Sequence, residues 1–224
     1  MSVSENPFEL IFEDSALLVF NKPSGLLSVP GKGPEKADCL RTRVQQVYPE
    51  ALTVHRLDMS TSGVLLMARS AALHRSLSIA FQDREVEKRY IAVVDGHIRE
   101  EGTPLGDDPA TWRLIDLPIA TDWINRPLQK IDAVEGKPSQ TRYRVLAYDA
   151  QTNSTRVELA PVTGRTHQLR VHLQSLGHPI LGDHLYASPE IQAKSARLLL
   201  HASSLTIRHP VSGKQIQWQS ITPF

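Results

Sequence analysis

Apolar positions along this chain come in short runs broken by turn residues. Leu10–Phe12 and Leu17–Phe20 read as a strand pair, with Asn21-Lys22-Pro23-Ser24-Gly25 as the closing turn. Leu40, Val44 and Val47 recur at helical spacing after Asp38, a candidate cap, and the pattern stops before Pro49. Gly63–Ala68 is a continuous apolar run of strand length. Ser70 is a candidate cap for a helix that turns Leu73, Leu77, Ala80 and Phe81 inward. Arg89–Val94, Thr141–Tyr148 and Arg156–Leu159 alternate as strands do. Thr166 is positioned to cap a helix carrying Leu169, Leu173 and Leu176, with Gly177 past its end. Leu198–Leu200, Leu205–Ile207 and Ile216–Trp218 read as closing strands. Many strands with few helices between them predict an α/β chain of the α+β kind, with a mixed, mainly antiparallel central sheet flanked by helices.

The stretch 99–128 is irregular and rich in Pro and Gly. Its Trp112, Leu114, Ile115, Leu117 and Trp123 predict short packed pieces rather than a free tether. The acidic pairs Glu100-Glu101 and Asp107-Asp108 within it are expected to face solvent.

Composition narrows the class. The 224 residues are 41% hydrophobic and 22% charged, which excludes a disordered chain. No apolar run approaches the ~18–20 residues of a membrane span, and the N-terminus lacks the features of a secretory signal. A single cysteine, Cys39, excludes an internal disulfide and a cysteine-based zinc site, and it fits a reducing cytoplasm. Charge is unevenly spread. Residues 1–112 carry 12 basic and 16 acidic groups, whereas residues 113–224 carry 13 basic and 8 acidic. Arginine outnumbers lysine 17 to 8, a bias that suits phosphate and base stacking but also arises from ordinary codon usage.

Four segments could carry chemistry. His55-Arg56-Leu57-Asp58 is followed by Met59-Ser60-Thr61-Ser62-Gly63 and then an apolar strand, a setting that can fix a reactive group. Asp58 is a candidate nucleophile or base, or a turn residue bonding backbone amides. Gly164-Arg165-Thr166-His167-Gln168-Leu169-Arg170 opens a helix, where free N–H groups attract anions; Arg165 and Arg170 would add charge there, or simply form a solvated basic face. Lys88-Arg89-Tyr90 sets an aromatic among cations on a strand, suited to stacking a base or to half-burial on a sheet. Arg197–Ala202 is an apolar strand that ends on His201. His167, His172, His178 and His184 lack the spacing of a metal site, and no Gly-rich phosphate loop is present. His-Arg-Leu-Asp inverts the order of the protein-kinase catalytic loop, and no Asp-Phe-Gly follows. A non-catalytic RNA-binding module remains the alternative from another class.

Taken in order and spacing, these segments resemble the RluA-type pseudouridine synthases over nearly the whole chain. The likeness rests on Asn21-Lys22-Pro23-Ser24-Gly25-Leu26, on His55–Gly63, on Lys88–Ala92, on Gly164–Arg170, on Gly177–Asp183 and on Arg197–Ala202. Leu27–Gly31 and Asp122-Trp123-Ile124-Asn125-Arg126-Pro127 are most like the family's dual-specificity rRNA/tRNA members. The resemblance implies one catalytic domain over 1–224, with a central RNA-binding cleft. Only 20 residues precede Asn21, so no N-terminal S4-like domain is expected. It implies Asp58 as catalytic carboxylate, Tyr90 as the aromatic that packs on the target uracil and Arg165 as the arginine paired with Asp58. It places Arg56 as the residue that enters the RNA as the uridine is flipped out, and Leu200 as pocket lining. His55 and Arg170 are expected among the RNA-contacting residues. Neither cofactor nor metal is implied. The partners implied are 23S rRNA and the tRNA anticodon stem-loop, with no DNA and no membrane, for a cytoplasmic monomer.

Overall fold

Strands dominate, as the short apolar runs predict. The structure is a computed structural model that describes residues 8–98 and 112–224. In chain order the elements are β1 (Glu9–Glu13), β2 (Leu17–Lys22), α1 (Leu40–Gln45), β3 (Leu52–Thr53), β4 (Ser62–Ala68), α2 (Ala71–Gln82) and β5 (Glu87–Asp95). There follow β6 (Arg113–Asp116), β7 (Ile119–Thr121), β8 (Gln129–Ile131), β9 (Gln140–Asp149), β10 (Ser154–Pro161), α3 (Gln168–Ser175), α4 (Pro189–Gln192), β11 (Leu200–Arg208) and β12 (Gln215–Gln219). The chain divides into two compact units. One holds the residues up to Lys88 together with Ala202–Pro223, and the other holds Arg89–His201 with Phe224.

In the first unit β2 pairs antiparallel with β1 and with β4, and β3 also pairs with β4. Every residue of β4 is buried, the mark of a strand covered on both faces. The β1–β2 turn is not Asn21–Gly25 as the sequence suggested. Asp14 closes it, its Oδ1 accepting from the N–H groups of Ala16 and Leu17 at 2.7 Å each. A carboxylate that bonds the amides just ahead of it is a turn-former in its own right. Helix α1 is capped by Cys39 rather than Asp38. Cys39 Sγ accepts from Thr42 N–H, and Thr42 Oγ1 accepts in return from Cys39 N–H at 3.1 Å. Asp38 instead pairs with Arg43 at 2.7 Å. The helix ends at Gln45, so Val47 falls outside it and is exposed. Ser70 caps α2 as expected, and Leu73, Leu77, Ala80 and Phe81 pack on a core that includes Leu17, Val19, Val64, Leu66, Leu205 and Trp218.

In the second unit β10 is central, with β5 on one side and β9 on the other, both antiparallel; β6 extends β9. One sheet face carries Ala92, Val94, Val157, Leu159, Tyr143 and Val145, and Leu169 and Leu173 of α3 pack into the same core. β7 and β8 form a separate hairpin. Helix α3 departs from expectation at its start. Its N-cap is His167, in the left-handed region at φ 54°, and no side chain caps it from Thr166. Gln168 does the bonding instead, as described below. Gly177 (φ 82°) ends the helix as predicted. Leu205–Ile207 and Leu200 belong to one long strand, β11, rather than two. The acidic pairs at 100–101 and 107–108 lie outside the described residues. No helix among the described residues is long and apolar enough to cross a membrane.

Candidate active site

The segment that carries Asp58 is held by its backbone. Ser28 Oγ donates to the Leu57 carbonyl at 2.7 Å and accepts from the Leu57 N–H at 3.1 Å. Thr61 N–H closes a turn onto the Asp58 carbonyl at 3.0 Å. The Met59 carbonyl accepts from Gly25 N–H at 2.8 Å and from Lys22 Nζ at 3.2 Å. Ser24 Oγ donates to the Ser60 carbonyl at 2.7 Å. Each carbonyl from Leu57 to Ser60 is thereby fixed. Buried backbone groups left unbonded are costly, so this set defines one geometry for the loop. Asp58 is half-buried on it, and Arg56 is exposed.

Lys22 is the least ordinary member. It is fully buried, and its ammonium also donates to the carbonyls of Pro23 (2.8 Å) and Leu26 (2.7 Å). A buried cation is tolerated only where such acceptors surround it. Beyond the loop, Gly63 opens β4 at φ 115°. A Cβ there would meet the Ala202 backbone, 2.6 Å from its nitrogen, so only glycine fits.

His55 serves the scaffold. Its Nε2 accepts from Leu66 N–H at 3.0 Å, and its ring stacks on Phe81 with centroids 4.7 Å apart. Burial, with the Lys88 charge second, pushes the imidazole down to about 3, so it is neutral at physiological pH. Burial likewise holds Lys88 below the ordinary lysine value.

The other sequence-derived residues lie in the second unit. Tyr90, half-buried on β5 opposite Leu159, packs against the core to which Leu200 belongs; Leu200 is buried at the head of β11. Tyr90 therefore packs against the same apolar core that buries Leu200. Arg165 is exposed, three residues ahead of α3, and among the described residues its guanidinium makes only long contacts of 3.4 Å to the Pro138 carbonyl. Its backbone is better fixed than its side chain. Gln168, buried, accepts from Arg165 N–H at 3.0 Å and from Thr163 Oγ1 at 2.7 Å, while its Nε2 donates to Gln140 O and Thr141 Oγ1 at 2.9 Å each.

Arg170 corrects an expectation. It does not add to a basic surface. Its side chain is 2% exposed, its Nε donates to Asp183 Oδ2 at 2.8 Å and its Nη2 to Oδ1, and it lies 5.0 Å from the Tyr186 ring centroid. Asp183 Oδ1 in turn accepts from Leu185 and Tyr186 N–H. The pair ties α3 to the segment after Gly182 and leaves no guanidinium edge for RNA. His172 is also internal, bonded to Thr141 Oγ1 and the Leu117 carbonyl, and burial lowers its pKa. Among the described residues no three of His, Cys, Asp and Glu gather as a metal-binding group.

Sequence reasoning placed Lys22, Ser24, Ser28 and Gln168 within motifs but gave none of them a role of its own. Lys22 carried a signal, a lysine ending a strand whose Leu17–Phe20 run is wholly apolar. Ser28 carried none, because its partner is a backbone group distant in sequence.

The chain belongs to the RNA pseudouridylate synthase family, whose model matches residues 16–175. It is 50% identical over 215 residues to the dual-specificity RNA pseudouridine synthase RluA of Escherichia coli K12, covering 96% of this chain and 93% of that one. The RluA protein of Yersinia pestis is 49% identical, with 96% of this chain and 99% of that one covered. Among solved structures, human RNA pseudouridylate synthase domain containing 1 superposes with a TM-score of 0.78 at 30% identity, over 100% of this chain and 87% of that one. This is an RNA-modifying isomerase.

Proposed function

We propose that this chain converts specific uridines to pseudouridine in 23S rRNA and in the tRNA anticodon stem-loop, acting as a monomer in the cytoplasm, with Asp58 as the catalytic carboxylate. The supporting observation is that the Asp58 loop, His55–Gly63, matches the family's motif and has the carbonyl from each of residues 57–60 pinned. A reactive group held by rigid backbone needs no reorganisation when its substrate arrives.

Isomerisation breaks the N1–C1′ bond and makes a C5–C1′ bond. The proton lost from C5 is balanced by one gained at N1, so the reaction is self-contained. Asp58 is the ionised oxygen that acts on the ribose or the base. The family resemblance assigns Arg165 as the arginine that works with it. Tyr90 and Leu200 hold the detached uracil by its faces while it rotates. Arg56, exposed two residues before Asp58, fills the stack left by the flipped base, which offsets the few kcal/mol of unstacking.

The test is tritium release from RNA labelled at uridine C5. Wild-type release with none from Asp58→Asn supports the assignment; full activity in that variant overturns it. RNA binding without any release favours a passive binder. Pseudouridine mapping in rRNA and tRNA from cells lacking the gene tests the two targets.

A further inference from the structure

The β7–β8 hairpin ends in a tip that the proposed chemistry does not use. Residues 122–127 run Asp-Trp-Ile-Asn-Arg-Pro. Trp123 is 68% exposed and Ile124 92% exposed, although both are large and apolar. The tip is nevertheless ordered by its own bonds. Asp122 Oδ1 accepts from Asn125 N–H at 3.2 Å and its Oδ2 from Asn125 Nδ2 at 2.8 Å. The turn is closed by Asp122 N–H to Leu128 O and by Leu128 N–H to Asn125 O, both 3.0 Å. At the base, Gln129 N–H bonds Tyr186 Oη at 2.9 Å, tying the hairpin to the body of its unit.

Arg126 lies over Trp123, its guanidinium carbon 3.7 Å from the ring centroid. One face of the indole is therefore covered by a cation and the ring is held in place. A lone exposed apolar side chain needs no explanation. A tryptophan locked in a turn and backed by a guanidinium is a different object, a flat platform with a cation behind it and the Asp122 carboxylate engaged by Asn125. Its remaining π-face suits another flat ring, and the Arg126 guanidinium suits a phosphate beside it. Nucleic acid supplies both together.

We propose that Trp123, backed by Arg126, is an RNA-docking platform on which a nucleobase other than the target uridine stacks. The inference rests on the RNA-modifying role above and adds a contact surface to it. Base–aromatic stacking is worth ~1–3 kcal/mol, which corresponds to roughly 5- to 150-fold in affinity.

The experiment measures the Kd of the full chain for a synthetic tRNA anticodon stem-loop, alongside tritium release from the same RNA. Trp123→Ala is expected to weaken binding about 10-fold or more, with an unchanged unfolding temperature. Trp123→Phe is expected to recover most of the loss, and Arg126→Ala to fall between the two. An alanine variant within twofold of wild type overturns the proposal, and so do equal losses in the alanine and phenylalanine variants. A wild-type chain that binds but releases no tritium counts against the enzymatic reading, while the platform is still judged by the variants.

Discussion

Ser28 and Leu57 exchange two hydrogen bonds through a single oxygen, Ser28 Oγ, which donates to the Leu57 carbonyl at 2.7 Å and accepts from its N–H at 3.1 Å. Both residues are buried, so no water stands ready to replace the hydroxyl. Ser28→Ala strands a donor and an acceptor, each costing about 1–3 kcal/mol unpaired. The expected outcome is a lower unfolding temperature and a kcat reduced at least ~10-fold with KM little changed, because Asp58 is displaced rather than the RNA surface. Thermal unfolding and single-RNA kinetics check both.

The Arg170–Asp183 pair is internal to the second unit, and removing one partner leaves the other charge buried. Arg170→Ala is expected to lose about 3–5 kcal/mol in urea unfolding, and Asp183→Asn a comparable share. The double replacement Arg170→Met with Asp183→Leu is expected to be less damaging than either. An Arg170→Ala protein of normal stability and poor RNA affinity would restore Arg170 to the RNA surface.

Acid sensitivity follows from His55. In the folded chain its imidazole titrates near about 3, whereas in the unfolded chain it titrates near its ordinary value of about 6.5. Between these values the unfolded chain binds the extra proton, so stability falls as pH falls through that window and is unaffected by this group above it. From pH 7 to pH 5 the loss is about 2 kcal/mol. His55→Asn, which keeps an acceptor for the Leu66 N–H, is expected to flatten the slope. Urea unfolding across that pH range is the check.

Tyr90 tests stacking against hydrogen bonding. Tyr90→Phe keeps the ring against the core that buries Leu200 and is expected to lose activity several-fold, while Tyr90→Ala is expected to lose ~100-fold or more. Equal losses in tritium release would show that the hydroxyl matters more than the face.

Much of this architecture was legible from residue pattern. The Gly63–Ala68 run, the Ser70 cap and the inward face of α2 are local features, and each appears where periodicity puts it. The expectations that failed were those settled by competition between neighbours. Asp14 took the hairpin turn from Asn21–Gly25, Cys39 took the cap from Asp38, and Gln168 organised the start of α3 instead of Thr166. Arg170 shows the limit most plainly. A basic residue in a basic motif looks like a surface group until Asp183, thirteen positions on, is seen to enclose it. The backbone clamps by Ser24 and Ser28 were illegible because backbone acceptors leave no trace in residue identity, and Lys22 showed only as a cation ending an apolar strand.

Gly63 has a genetic corollary. Any side chain at this position would intrude on the main chain at Ala202, and that conflict is indifferent to which amino acid arrives. Unbiased loss-of-function screens of this gene should therefore recover missense alleles at codon 63 of every chemical type, with inactivity arising from steric exclusion and no catalytic group altered.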